Sequence, residues 1–144
     1  MAYRLSQRSL DRLQGVNPRL ASVVRRAIEI TPQDFLVSEG VRTLDRQSKL
    51  LAEGRTRTMR SKHLVQADGT GHAVDLYPWS SAWPKVADIP PEAYRLVAQA
   101  MEQAAHELGT PIRWGNDWDR DGVEVPMDPD ETFSDKPHFE LWEA

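Results

Sequence analysis

The chain contains no cysteine. That excludes disulfides, thiolate zinc sites, iron–sulfur clusters and a cysteine nucleophile. It also lacks any apolar run near the ~20 residues that a membrane-spanning helix requires. The first twenty residues carry Arg4, Arg8, Asp11, Arg12 and Arg19 and contain no apolar h-region. No secretory signal is therefore expected, and the chain is expected to be made and kept in the cytoplasm. Internal repeats and low-complexity segments are absent as well. With 144 residues, the expectation is one domain spanning 1–144. A chain of this length buries roughly 68–70% of its unfolded surface, which suffices for a core without covalent staples.

What is present is charge, unevenly placed. The formal net charge is −4. Residues 1–62 carry 13 basic and 6 acidic side chains, a net +7, whereas residues 63–144 carry 5 and 16, a net −11. A chain polarised in this way suggests a polyanion at one end and cations at the other. The stretch from Arg55 to Lys62 holds four cations in eight residues, but no aromatics are interleaved with them, which argues against nucleic acid.

Local patterns give the elements. Ser6 is suited to cap a short helix that ends near Gly15. Asn17-Pro18 reads as cap and first residue of an amphipathic helix over 18–30, with Leu20, Val23, Val24, Ala27 and Ile28 at helical spacing. Phe35 to Val41 is β-branched and bounded by turn residues, so a strand is predicted there. A helix over 44–52 stops at Gly54, and residues 55–71 are polar and irregular. His72 to Tyr77 alternates as a strand. Pro90-Pro91 opens a helix over 91–108 whose buried face holds Tyr94, Val97, Ala98, Met101, Ala105 and Leu108. Short strands are predicted at 112–114 and 138–141, joined by an acidic loop over 115–135. The elements do not follow βαβ order, so the expected class is α+β.

Four histidines are present: His63, His72, His106 and His138. A catalytic zinc ion takes about three His or carboxylate ligands and keeps one position open for water, and a further carboxylate must stand near that water. Two histidines and a carboxylate from separate elements satisfy this, but spacing alone leaves several such sets open. Within the acidic loop, Asp117-Trp118-Asp119-Arg120-Asp121-Gly122 fits the opening of an EF-hand. Position 12 is Asp128 rather than glutamate and Pro126 interrupts the loop, so the pattern leaves two readings. One is a looser calcium site on Asp117, Asp119 and Asp121, and the other is a solvated acidic turn.

The string Ser61-Lys62-His63, continued by Gly71-His72-Ala73-Val74-Asp75, resembles the S-x-H-x-x-G-x-A-x-D motif of the zinc peptidases grouped with lysostaphin, the D-Ala-D-Ala metallopeptidases and hedgehog. Asp135-Lys136-Pro137-His138 resembles their second motif, [DE]-x-x-H. Gly40-Val41-Arg42-Thr43 with Gln47, and Trp114-Gly115-Asn116-Asp117-Trp118, resemble two further blocks in the same order. Within that group the chain looks most like phage endolysins of the L-alanyl-D-glutamate peptidase type. Residues 65–69 read as a five-residue insertion between His63 and Asp75, of a kind a loop absorbs without moving its ends.

The resemblance implies the hedgehog/D-Ala-D-Ala peptidase fold, with a small antiparallel sheet, flanking helices and one zinc site. It places zinc on His63, Asp75 and His138, makes Asp135 the general base, and sets Arg42, Gln47 and Ser61 in the substrate site. Trp114 is a candidate wall of that site. Strand alternation agrees, because Ala73, Asp75 and Tyr77 share one face and His72 the other. His106 matches no motif and is expected on the surface. The implied activity is zinc-dependent cleavage of the L-alanyl-D-glutamate bond in the peptidoglycan stem peptide by a phage endolysin. It would act as a monomer without a wall-binding module, nucleic acid or membrane insertion, and would be held in the host cytoplasm until a holin releases it to the wall. The rivals are a D-Ala-D-Ala carboxypeptidase or dipeptidase and a non-catalytic zinc-binding module on the same fold.

Overall fold

The computed structural model describes residues 2–54, 61–117 and 135–142. Helix α1 (Gln7–Arg12) starts where the Ser6 side chain accepts from the Ser9 amide. Helix α2 (Pro18–Ile30) starts where Asn17 accepts from the Arg19 amide, with proline at the first turn. Strand β1 (Phe35–Glu39) is followed by α3 (Leu44–Ala52), capped by the Thr43 hydroxyl, and by β2 (Ala73–Pro78). A 3-10 turn at Val86–Asp88 precedes α4 (Pro91–Leu108), which closes on Gly109 in the left-handed region at φ +64°. Strands β3 (Ile112–Trp114) and β4 (His138–Leu141) complete the order.

The four strands form one antiparallel sheet in the order β1-β2-β4-β3. Its class is the expected α+β. Alternation sorts the central strands into two faces. Val74, Leu76 and Phe139 point to one side, where they are buried with Leu20, Val23, Val24, Val97 and Met101 of α2 and α4. Full burial of each large side chain in this layer stabilises the fold by roughly 1.5–3 kcal/mol. The opposite face carries Asp75 on β2, with His138 and Glu140 on β4. The register pairs Asp75 with His138 and Ala73 with Glu140.

Two expectations need correction. Strand β1 ends at Glu39 rather than Val41, because Gly40 packs against α1 so closely that a Cβ there would overlap the Arg12 carbonyl oxygen. Leu108 is exposed, whereas Ala104 and Ala105 earlier in the same turn face the core. The Trp114 ring is buried, stacks on Phe139 at 6.3 Å, and lines a cavity with Ala105, Ile112 and Asp117 at the end of α4.

The inserted residues 65–69 fold onto themselves. Val65 bridges Gly71, the Gln66 amide donates to the Thr70 carbonyl, and Gly69 takes φ +83° at the turn. Asp68 accepts from the Thr70 amide and hydroxyl and lies 2.7 Å from His72 Nε2. These bonds close the hairpin at its base, and the segments entering and leaving it are held independently. The Gly71 amide donates to Gly15 O, and the His72 amide to Lys62 O.

Candidate metal centre

Pairing of β2 with β4 sets Asp75 against His138, and the segment before the inserted hairpin delivers His63. The three side chains present ligand atoms that all lie within 4.8 Å of one another, the only such group of three among the described residues. His63 Nε2 stands 3.1 Å from Asp75 Oδ1, and His138 Nδ1 stands 3.4 Å from the same oxygen. The two rings meet edge to face, with centroids 5.1 Å apart. Both histidines are buried.

The outward nitrogens decide what the inward ones can do. His63 Nδ1 lies 2.8 Å from the Gly40 carbonyl oxygen, which can only accept, so Nδ1 carries the proton. His138 Nε2 lies 2.8 Å from Glu140 Oε1, also an acceptor, so Nε2 carries the proton there. In their neutral forms both rings then aim a lone pair at the Asp75 carboxylate. Three converging electron-pair donors need a cation between them. A carbonyl or carboxylate behind each ligating imidazole is the arrangement that fixes tautomer and orientation at metal sites. The donor set therefore fits a divalent metal.

Without a metal, protons fill the gap. Burial works to lower the His138 pKa, but hydrogen bonds to Asp75 and Glu140 outweigh it and lift it to about 9. Burial works to raise the Asp75 pKa, but hydrogen bonds from His138 and His63, with their charges, hold it well below the usual carboxylate range. Glu140 is also lowered, because its bond to His138 and the Arg113 guanidinium 2.9 Å away overcome its burial.

Asp135 enters from the turn before β4 and is half-buried. Its amide donates to Gly115 O at 2.8 Å, and its carbonyl accepts from the His138 amide at 3.0 Å. The Trp114 indole donates to Lys136 O at 2.7 Å, bracing the same turn. A Cβ on Gly115 would overlap the Asp135 carbonyl oxygen, so only glycine lets this turn close against β3. Burial, and next the Asp75 charge, push the Asp135 pKa up. A carboxyl shifted upward beside a metal-capable cluster suits a group that takes and returns a proton.

Arg42 is buried rather than a surface ion pair. Its Nε and Nη2 clasp Glu39 at 2.8 and 2.9 Å, and its Nη1 donates to Gln47 Oε1 at 2.8 Å and to the Ser61 hydroxyl at 3.5 Å. Asp75 Oδ2 is 3.8 Å from Nη2. Arg42, Gln47 and Ser61 thus form one connected wall against Asp75, although Gln47 is fully buried behind Arg42. His72 faces away from Asp75, toward Asp68, and His106 is exposed. Asp117 is buried at the end of the turn after β3, while Asp119 and Asp121 lie outside the described residues, as do residues 55–60 of the basic stretch.

Sequence reasoning missed Glu39, the Gly40 carbonyl and Glu140. Glu140 had a signal, because alternation along β4 puts it on the His138 face. A backbone carbonyl has none.

Comparison with known proteins identifies the family. The family model for phage L-alanyl-D-glutamate peptidase matches residues 1–142. The L-alanyl-D-glutamate peptidase of Escherichia phage T5 is 34% identical over 125 residues, covering 85% of this chain and 86% of that one. The crystal structure of the Serratia marcescens L-Ala D-Glu endopeptidase ChiX superposes with a TM-score of 0.75 at 33% identity, covering 98% of this chain and 91% of that one. The chain belongs to the phage L-alanyl-D-glutamate peptidase family.

Proposed function

We propose that this chain is a zinc-dependent endopeptidase that cuts the L-alanyl-D-glutamate bond of the peptidoglycan stem peptide. The observation that carries the metal is the convergence of His63, Asp75 and His138, each imidazole backed by an acceptor on its outward nitrogen. Family membership carries the bond. Zinc on these three residues supplies Lewis-acid activation of a water and of the scissile carbonyl.

The chain's own groups do the rest. Asp135, its proton affinity raised by burial and by Asp75, accepts the proton from the attacking water and returns it to the departing amine of D-glutamate. Glu140 and the Gly40 carbonyl hold the two imidazoles in ligating tautomers. Arg42, Gln47 and Ser61 form the substrate-side wall. Because Glu39 already occupies the Arg42 fork, Arg42 meets the substrate along its Asp75 edge.

The biological reading is a single-domain, monomeric endolysin that leaves the host cytoplasm through a holin lesion and reaches the wall. No helix among the described residues is long and apolar enough to cross a membrane. A second cation, calcium, is proposed on Asp117, Asp119 and Asp121 from the sequence pattern. Absence of calorimetric heat with calcium, and of any shift in Tm, would remove that site.

The central test is digestion of purified peptidoglycan by the zinc-loaded enzyme. New D-glutamate amino termini are expected. Loss of terminal D-alanine alone, read by mass spectrometry, would instead assign a carboxypeptidase. Asp135→Asn should lower kcat by about 10²–10⁴-fold while zinc content stays at wild type. Full activity in that variant would sink the assignment of the base.

A further inference from the structure

Tyr94 stands on the first turns of α4, and its ring is buried in the core. It meets Tyr77 edge to face at 6.3 Å. Tyr77 lies two residues beyond Asp75 on the same face of β2, so the tyrosine pair sits at the Asp75 end of the sheet. The next residue back, Leu76, donates its amide to Pro137 O at 2.8 Å, which ties this end of β2 to the turn that carries Asp135. The charge of Asp135 reaches Tyr94: burial raises the pKa of the phenol first, and Asp135 raises it further. The phenol is therefore a neutral donor at any working pH.

A buried tyrosine normally spends its hydroxyl on an internal partner. Among the described residues, the Tyr94 hydroxyl has none. Nor is its oxygen sealed in the interior. The ring is thus fixed by packing at the end of the sheet whose turn carries the proposed base, and its hydroxyl bonds to no described residue. We propose that the Tyr94 hydroxyl donates a hydrogen bond to the stem peptide bound beside Asp135. The group that fits is a backbone carbonyl or carboxylate oxygen of the peptide, since the phenol offers one proton and carries no charge. This inference rests on the peptidase reading above.

The test compares Tyr94→Phe with the wild-type holoenzyme on purified muropeptide. The substitution removes only an oxygen that bonds to no described residue, so Tm and zinc content should match wild type. The ratio kcat/KM should fall about tenfold, the size of one neutral hydrogen bond. The pH dependence of kcat/KM should keep its acidic limb, because the hydroxyl acts on the substrate rather than on Asp135. A loss smaller than threefold overturns the proposal. So does a loss accompanied by a lower Tm, which would make the hydroxyl structural, or by a displaced acidic limb, which would make it a partner of the base. Failure of the peptidase reading would show separately, as a wild-type enzyme that releases no D-glutamate termini.

Discussion

Asp75 serves three neighbours at once. One oxygen faces both His63 Nε2 and His138 Nδ1, and the other lies near Arg42. In the metal-free chain His138 is protonated at neutral pH, because its pKa is lifted from 6.5 to about 9. A raised pKa stabilises the fold fully below the unfolded value near 6.5, and that stabilisation fades as pH rises through about 9. Zinc needs the neutral ring, so its uptake must expel this proton and must tighten as pH rises from 6 toward 9. Calorimetric titration of the metal-free chain in two buffers of different ionisation enthalpy should report about one proton released from His138 at pH 7. Heats that do not depend on the buffer would contradict the raised pKa. Glu140 fixes the His138 tautomer from behind, so Glu140→Gln should weaken zinc binding by roughly 10–100-fold, as measured by competition with a chelator. An unchanged affinity would make Glu140 a partner of Arg113 only.

At the scale of elements, the site depends on how the turn before β4 rests on the end of β3. Gly115 exchanges two backbone bonds with that turn: its amide donates to His138 O, and its carbonyl accepts from the Asp135 amide. A methyl at Gly115 has no room beside the Asp135 carbonyl and meets the His138 Cβ as well. Gly115→Ala should therefore cost about 1–3 kcal/mol in chemical denaturation. It should also reduce activity more than that loss explains, since it displaces the proposed base Asp135 and the proposed ligand His138 together. Wild-type kinetics in this variant would show that the turn has slack. The hairpin over 65–71 presents the opposite case. It closes on its own bonds, and His63 is held instead by Gly40 O, by Ser61 Oγ and through its carbonyl by the Arg42 amide. With the hairpin closed on itself, His63 Nε2 still stands 3.1 Å from Asp75 Oδ1.

For the whole molecule, one face of the sheet supplies stability and the other supplies chemistry. Met101 of α4 is fully buried in the layer with α2. Met101→Ala should destabilise by roughly 2–5 kcal/mol and lower Tm on the order of 10 °C. Zinc stoichiometry should be unchanged at temperatures where the variant is folded, because the proposed ligands Asp75 and His138 point to the opposite face of the sheet. Loss of zinc from the folded variant would show that the two faces are coupled. Much of this division was legible in residue order. Helical spacing placed α3 over 44–52 and α4 over 91–108 at the observed bounds, since local caps and prolines govern helix ends. Period-two alternation separated Asp75 from His72, because side-chain direction on a strand is a local property. What residue order could not settle were the groups behind the ligands: the Gly40 carbonyl on His63, and Glu39 filling the Arg42 fork. The first joins residues 23 apart through a backbone atom that every residue type shares. The second ties Arg42, expected in the substrate site, into a largely buried ion pair with Glu39, which residue types three apart in sequence do not by themselves specify. The sequence determined which chemistry the chain carries; the tertiary structure decided which atoms are left free to perform it, because only packing brings an acceptor to the back of each donor.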